Sequence, residues 1–265
     1  MEKIETTIFV DWENLLTDLR VIQKNPKTDK RFKEPDFSFN NPEQLLVLIR
    51  SFLEPEEGLK RIYFYASEPF TEVEPRIKGN KNKELEEYKD KNPKDYEKRV
   101  NKSGIIQAFN HEIAQQNQVK LRVGRVMFEF VYEFEDKEVY NGLEAKISIP
   151  HLKLRQKQID VLVHDITKLY CTKQGGCILL FSKDTDFVPV LEAAWKKGFG
   201  VFIANIQEGP NLVPSDLKKS CNVRERSVAE ILTKLPKVAT TSNTPKKENS
   251  NEPFNNPFKD LHKKN

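Results

Sequence analysis

The chain has few cysteines and no long apolar run. Its 265 residues include three cysteines, Cys171, Cys177 and Cys221, with no Cys-x-x-Cys spacing among them. An odd and scattered set argues against a disulfide framework and is typical of a reducing compartment. No stretch reaches the roughly 18 consecutive apolar residues of a membrane-spanning helix. We therefore expect a cytoplasmic protein with no membrane partner.

Nucleotide-binding and zinc motifs are also missing. The chain contains no Gly-x-x-x-x-Gly-Lys-Ser/Thr loop and no Gly-x-Gly-x-x-Gly element, so an ATPase or a dinucleotide enzyme has no support. Its four histidines follow no spacing that resembles a zinc site. The net charge of +4 is too small to indicate a polyanionic partner by itself.

Short β-rich apolar runs alternate with helical patterns along most of the chain. Residues 7–10, 62–66, 177–181 and 199–204 are typical of buried parallel strands. Apolar residues at helical spacing occur between them, for example over 45–53 and 159–170. This alternation predicts an α/β fold, with a parallel sheet sandwiched between helices.

Two regions depart from this pattern. Residues 78–98 have almost no apolar content, and the aromatic stretch 126–149 follows no strand–helix alternation. We therefore predict one domain over residues 1–235, with an insertion at about 68–150. Residues 236–265 lack periodicity and are predicted to form a disordered tail. The tail has Phe254 and Phe258 after prolines, which leaves a partner that binds a short motif open.

Aspartates from three segments are predicted to meet at one edge of the sheet. Asp11 follows the first strand, and Asp160 lies in the first turn of a later helix. Asp184 and Asp186 follow another strand. Because the carboxyl ends of parallel strands share one edge, these side chains can converge. Any one of them is equally well explained as a turn residue or a helix cap, Asp186 above all; it is the set that indicates a site.

Converging carboxylates need a compensating charge. Two carboxylates about 4 Å apart repel by roughly 4 kcal/mol at an effective dielectric of 20, so a cluster requires protonation or a cation. All-oxygen ligands favour Mg²⁺ or Mn²⁺. Such ions orient a phosphodiester, activate water and stabilise the leaving oxygen. The acids thus predict phosphodiester hydrolysis, with nearby basic residues, Arg122 and Lys157 among them, available to attract a phosphate backbone.

Three segments resemble signature stretches of the NYN family, the LabA-like branch of the PIN-like nucleases. The segments are IFVDWENL near the start, KQIDVLVHDI in the middle and ILLFSKDTDFVPVLEAAWKKGFGV near the end. They occur in the family's order, and the resemblance covers roughly residues 5–235. It implies a PIN-like, Rossmann-like fold and a divalent-metal-dependent endoribonuclease that acts on RNA, with single-stranded RNA the expected substrate.

The resemblance also implies roles for individual residues. It assigns metal binding and catalysis to the aspartates, which are Asp11, Asp160, Asp184 and Asp186. Asn14 and Ser182 match the family's asparagine and loop serine and are expected at the substrate, as is Lys157.

This chain departs from the family pattern at two positions. Trp12 stands where glycine follows the first aspartate, and Lys183 stands where the loop has glycine. Lys183 is therefore expected either to contact a phosphate or to replace part of the metal's charge. In the second case the protein would bind nucleic acid without cutting it.

Two other interpretations compete with the nuclease. The sequence FSKDTDFV resembles the start of haloacid-dehalogenase phosphatases, but only about 50 foldable residues follow Asp186, too few for the rest of that fold. A non-catalytic RNA- or protein-binding module of the same fold is the main alternative, since fold does not fix function. Whether the chain forms a homodimer is left open.

Overall fold

A computed structural model describes the backbone of residues 3–67, 80–140, 143–157 and 159–235, and the side chains of 3–67, 86–124 and 161–235. The predicted tail, residues 236–265, lies outside these ranges. Residues Met1–Leu235 form one compact unit. The strands are β1 (Ile4–Asp11), β2 (Glu57–Ser67), β3 (Val119–Tyr140), β4 (Leu143–Lys157), β5 (Cys177–Phe181), β6 (Gly200–Ile206) and β7 (Asn222–Arg226).

Eight α-helices occur within the described ranges. They are α1 (Trp12–Lys24), α2 (Pro42–Arg50), α3 (Asn80–Lys91), α4 (Pro93–Ala114), α5 (Ile159–Thr172), α6 (Val188–Lys196), α7 (Ser215–Ser220) and α8 (Val228–Lys234). Two short 3₁₀ turns, Lys30–Phe32 and Thr185–Phe187, precede α2 and α6. In this part of the chain, none of the helices combines the length and the apolar character needed to span a bilayer.

Within the described ranges, seven strands form one sheet in the order β4-β3-β2-β1-β5-β6-β7. The six strands from β3 to β7 in this order are parallel, and β4 pairs antiparallel with β3. The predicted α/β class is confirmed by this parallel sheet and the helices that flank it. The architecture is compatible with a Rossmann-like fold, and its closer likeness to PIN domains stays a prediction.

The described part of the predicted insertion, residues 80–140 and 143–150, contains two kinds of structure, and the insertion itself stays a prediction. α4 lies between β2 and β3 in the chain, and residues 119–124 of β3 pair in parallel with residues 62–67 of β2. This part continues the strand–helix alternation of the fold. Residues 125–140 of β3 then extend beyond β2 and pair with β4 as a long antiparallel ribbon. The segment that departs from the alternation on this side of the sheet is therefore the ribbon.

The chain reverses its direction of winding between β1 and β5. From β1 it proceeds outward to β2 and β3, and from β5 it proceeds in the opposite direction to β6 and β7. Among the parallel strands this gives the order 3-2-1-4-5-6 of doubly wound sheets, in which a crevice opens at the carboxyl ends of the two central strands. We call the edge at which β1 and β5 end the carboxyl edge.

Helices cover both faces of the sheet. On one face, α5, α6 and α7 bury Leu162, Leu191 and Leu217 in a cluster that also contains Phe9 of β1. On the other face, Trp12 of α1 stacks on a ring of α4, with ring centroids 5.2 Å apart, and contacts Phe64 of β2. The winding reversal thus places α1 and α6, which follow β1 and β5, on opposite faces.

A buried ion pair connects β7 to the start of β2. The Arg224 guanidinium donates to both carboxylate oxygens of Glu57, at 2.7 and 2.9 Å, and both side chains are less than a tenth exposed (7% and 4%). The same guanidinium donates to the Phe52 carbonyl at 3.0 Å and lies over the Phe202 ring. Burial is the largest single influence on the pKa of Glu57 and raises it, but the hydrogen bonds from Arg224 and from the Glu54 N–H, together with the Arg224 charge, hold that pKa below its ordinary value.

We predict that Glu57→Gln lowers the free energy of unfolding by about 3–5 kcal/mol, because it leaves the buried Arg224 charge with only the more exposed Glu54, 3.8 Å away. Urea unfolding measures this. Glu5→Gln is the matched control, since Glu5 pairs with Lys60 and Lys173 in solvent and each such pair contributes about 0–1 kcal/mol. Equal losses in the two variants would contradict the prediction.

Candidate functional site

The crevice at the carboxyl edge brings Asp11 next to the loop that follows β5. Asp11 ends β1, and its neighbour Val10 pairs with Phe181, the last residue of β5. Ser182 therefore emerges beside Asp11, and its hydroxyl donates to Asp11 Oδ2 at 3.1 Å. The same hydroxyl accepts the backbone N–H of Asp184 at 3.3 Å. Ser182 thus connects the two segments that carry the predicted acids.

The two acids of the loop have different environments. Asp184 is half-buried and caps the 3₁₀ turn, with its Oδ1 accepting the backbone N–H of Asp186 at 3.0 Å. Asp186 is exposed. The interpretation of Asp186 as the cap of the next helix is wrong, because α6 begins at Val188 and its capping position, Phe187, makes no side-chain cap bond. The cap in this loop is Asp184, since the extra 3₁₀ turn moves the start of α6 along the chain.

Asp11 carries a carboxylate whose ionisation is unfavourable. Burial is the main cause, and the negative charges of Glu13 and Asp184 add to it. The N–H of Asn14, which donates to Asp11 Oδ1 at 3.4 Å, and the Ser182 hydroxyl act in the opposite direction. The net effect raises the pKa of Asp11 from 3.8 to about 6. The protein therefore holds a carboxylate in a position that favours a proton or a cation.

Lys183 directs its charge away from these acids. Its ammonium donates to Asp18 Oδ2 and to the Asn211 carbonyl, each at 2.7 Å, and the side chains of the ion pair are both 7% exposed. We expected that Lys183 could replace part of the metal's charge at the acids. In the structure its charge instead balances that of Asp18 of α1. A phosphate contact by Lys183 would require this buried pair to open.

Asn14 holds the loop against α1. Its side-chain oxygen accepts the backbone N–H of Lys183 at 3.2 Å. Asn14 lies in the first turn of α1, three residues after Asp11, and its own N–H donates to the Asp11 carboxylate. A single helical turn therefore holds both the carboxylate and the loop. The predicted residues Asp11, Asn14, Ser182 and Asp184 therefore come together at one place in the structure.

Sequence reasoning did not single out Glu13 or Asp18. Glu13 accepts the Ser67 hydroxyl at 3.1 Å and contributes to the raised pKa of Asp11. An acid in the first turn of a helix ordinarily complements the helix dipole, so its position was no signal of a site. Asp18 could have been noticed, because it is a charged residue between Leu15, Leu16 and Leu19 on a buried helix.

Asp160 and Lys157 are described by their backbones alone. Asp160 is the second residue of α5, and Lys157 ends β4. Their side chains lie outside the described ones, so their place in the site stays a prediction. Asp186 belongs to the same loop as Asp184, but its exposed carboxylate makes no hydrogen bond with Asp11 among the described side chains.

Asp165 fixes α5 against the sheet near the carboxyl edge. Its buried carboxylate accepts the Tyr65 hydroxyl at 2.8 Å and two guanidinium bonds from Arg122, also at 2.8 Å. Tyr65 is the residue of β2 that pairs with Asp11. Asp165 is therefore a structural partner, and Arg122, expected to attract a phosphate backbone, is joined to it. This contact holds the helix that begins next to Asp160.

The described side chains bring together at one place two of the four acids predicted to bind a metal. Among them, no three His, Cys, Asp or Glu side chains are grouped so that they could hold an ion. Asp11 and Asp184 supply two carboxylates, and the predicted third, Asp160, is outside that set. The donors are all oxygen, which suits Mg²⁺ or Mn²⁺ rather than zinc.

Comparisons with protein-family models, with curated proteins and with solved structures found no match for this chain. The resemblance to the NYN family therefore stays a prediction based on the three segments quoted above.

We predict that Asp11→Asn stabilises the protein at neutral pH. Below the ordinary value of 3.8 the carboxylate is protonated in both states, and above about 6 the folded state bears the full cost of the buried charge. Wild-type stability should therefore fall relative to the variant across this window, by up to about 3 kcal/mol. Asparagine retains the capping oxygen, so the helix start is preserved.

Urea unfolding of both proteins between pH 3.5 and 8 in the presence of a chelator measures the difference. Asp36→Asn, which removes an exposed carboxylate, serves as the control. A constant difference between Asp11→Asn and wild type across the window would show that Asp11 is not the group responsible.

Proposed function

We propose that this protein is a divalent-metal-dependent ribonuclease that hydrolyses phosphodiester bonds of single-stranded RNA in the crevice between β1 and β5. The observation that supports this most is the state of Asp11. Its half-buried carboxylate is joined through Ser182 to the loop of Asp184, and its pKa is raised to about 6 without an ion pair among the described side chains. Such a site favours an added cation.

The residues of the crevice have separate tasks in this proposal. Asp11 and Asp184 supply charged oxygens, with Asp160 and Asp186 as the further predicted acids. A bound Mg²⁺ or Mn²⁺ would supply activation of water and stabilisation of the leaving oxygen. Ser182 orients the Asp11 carboxylate through its 3.1 Å hydrogen bond. Asn14 keeps the loop in place through the N–H of Lys183.

The position of Lys183 favours the enzyme over a non-catalytic RNA-binding module. The non-catalytic alternative relied on a lysine that replaces the charge of the metal. In the structure the ammonium pairs with Asp18, 2.7 Å away, and so leaves the charge of the acids uncompensated. The lysine found in place of the family's glycine therefore has a structural task that is compatible with a metal at the neighbouring carboxylates.

We predict that the purified protein degrades single-stranded RNA when Mg²⁺ or Mn²⁺ is added. Asp11→Asn and Asp184→Asn should each reduce the rate by at least about a hundredfold, because each removes a charge that binds the ion. Gel analysis of a labelled RNA, with the melting temperature of each variant recorded, measures this. Asp36→Asn, whose carboxylate is exposed on a loop, should cleave like wild type.

The same assay separates the alternatives. Cleavage retained in both variants would remove the proposal, because the acids would then not be needed. A non-catalytic module would slow the migration of RNA without cutting it. A phosphatase would instead release phosphate from small phosphomonoesters.

We predict that metal binding is visible without any substrate. Mn²⁺ should raise the melting temperature of wild type, because a ligand that binds only the folded state stabilises it. At a hundred times the dissociation constant, the gain corresponds to about 2.7 kcal/mol. Asp11→Asn and Asp184→Asn should lose this shift. A shift of equal size in Asp11→Asn would place the ion elsewhere.

A further inference from the structure

A cavity lies at the carboxyl-terminal end of α6, whereas the candidate site lies at the other end of this helix. It has a volume of about 410 Å³ and is bounded by the end of α6, the end of α7 and the first residues of β6 and β7. This volume falls within the roughly 300–1,000 Å³ range of ligand-binding pockets. α6 begins just after the loop of Asp184 and extends about 14 Å to the opposite edge of the sheet. The cavity is therefore separate from the candidate site.

An exposed tryptophan lines this cavity. The chain has two tryptophans: Trp12 is 5% exposed, whereas Trp195 is 63% exposed. Trp195 lies in the last turn of α6 and presents most of its indole to solvent. A large aromatic side chain buries much apolar area when a partner covers it, so a surface position is more costly for tryptophan than for most residues. Its place in a cavity indicates a binding role.

Positive charge surrounds the indole. Lys196, Lys218 and Lys219 line the same cavity, against one lining carboxylate, Glu192, which accepts the Ser220 hydroxyl at 2.8 Å. Lys219 also pairs with Asp216 at 3.2 Å, but both side chains are largely exposed (75% and 65%). Exposed pairs of this kind contribute little and exchange readily, so Lys219 is available to another anion.

We propose that this cavity binds a nucleobase of single-stranded RNA, stacked on Trp195, with the adjoining phosphates contacted by Lys218 and Lys219. An aromatic platform flanked by cations is the combination by which proteins bind single strands without reading their sequence. An acidic peptide would satisfy the lysines but would gain less from the flat indole. The inference rests on the proposed function, because it takes RNA as the ligand and adds a second contact to it.

The arrangement makes binding depend on the length of the RNA. A strand that occupies the crevice and the cavity together must pass along the outside of α6, so a short fragment reaches one of them at a time. Longer strands gain from both contacts through effective concentration. The cavity would thereby hold one part of an RNA strand while another part of the same RNA lies at the acids of the crevice.

The experiment uses the full chain with EDTA, so that metal-dependent cleavage cannot occur. A labelled RNA of about 12 adenosines is titrated by fluorescence anisotropy, and tryptophan emission is followed in the same samples. Because Trp12 is buried, quenching reports stacking on Trp195. We expect saturable quenching in wild type and about tenfold weaker binding in Trp195→Ala, the effect of losing one base stack.

A charge variant provides the second measurement. Lys218→Glu combined with Lys219→Glu should weaken binding and reduce its dependence on salt, because fewer phosphates are neutralised. Lys24→Glu combined with Lys27→Glu is the matched control, with the same change in charge at exposed positions of α1 and the loop after it. Melting temperatures verify that each variant is folded.

The outcomes are distinct from those of the cleavage assay. Wild-type affinity in Trp195→Ala, the same loss in both charge variants, or quenching by polyglutamate in place of RNA would each overturn the inference. A protein that cuts RNA but shows none of these effects keeps the proposed function and loses the second contact. One that shows them all but never cuts RNA loses the nuclease and keeps the contact.

Discussion

The parallel pairing of β1 with β5 is the constraint on which the candidate site depends. Residues 6–10 pair with residues 177–181, so both strands end at the same level. Since the chain winds outward in opposite directions from this pair, no crossover helix lies directly over the junction. Asp11 and Ser182 are the first residues beyond the paired segments, and their 3.1 Å hydrogen bond follows from that register. A slip of β5 by one residue would turn its side chains to the other face and separate Ser182 from Asp11.

Charge is distributed unequally around this junction. Lys183 and Asp18 neutralise each other in a buried pair, and Arg122 does the same for Asp165. Asp11, between these pairs, is given hydrogen bonds but no cation among the described side chains. The carboxylates of Asp18 and Asp165 each have a cationic partner, so the fold is able to provide a counter-charge in this region. The lack of compensation at Asp11 is therefore a property of this position rather than of the region.

The sequence predicted the fold well where apolar periodicity was strong. Buried strands such as β5 and amphipathic helices such as α5 follow from their patterns. The convergence of Asp11 with the β5 loop was inferred from the shared edge of parallel strands, and their contact agrees with it. The ion pair of Lys183 with Asp18 was not foreseen, because a surface loop and a helix give no local signal of long-range pairing. The contacts of Asp165 could not be predicted for the same reason, since its partners lie on β2 and β3.

The buried pair of Lys183 and Asp18 links the evolutionary histories of two positions. Replacing Lys183 by the smaller glycine would leave Asp18 buried beside the Asn211 carbonyl without a counter-charge. Replacing Asp18 alone would leave the Lys183 ammonium buried without its counter-charge. Relatives of this protein should thus change both positions together: where one has glycine in the loop, an uncharged residue is expected at the matching point of α1. Paired changes at these two positions would therefore mark the relatives that share this ion pair with the present chain.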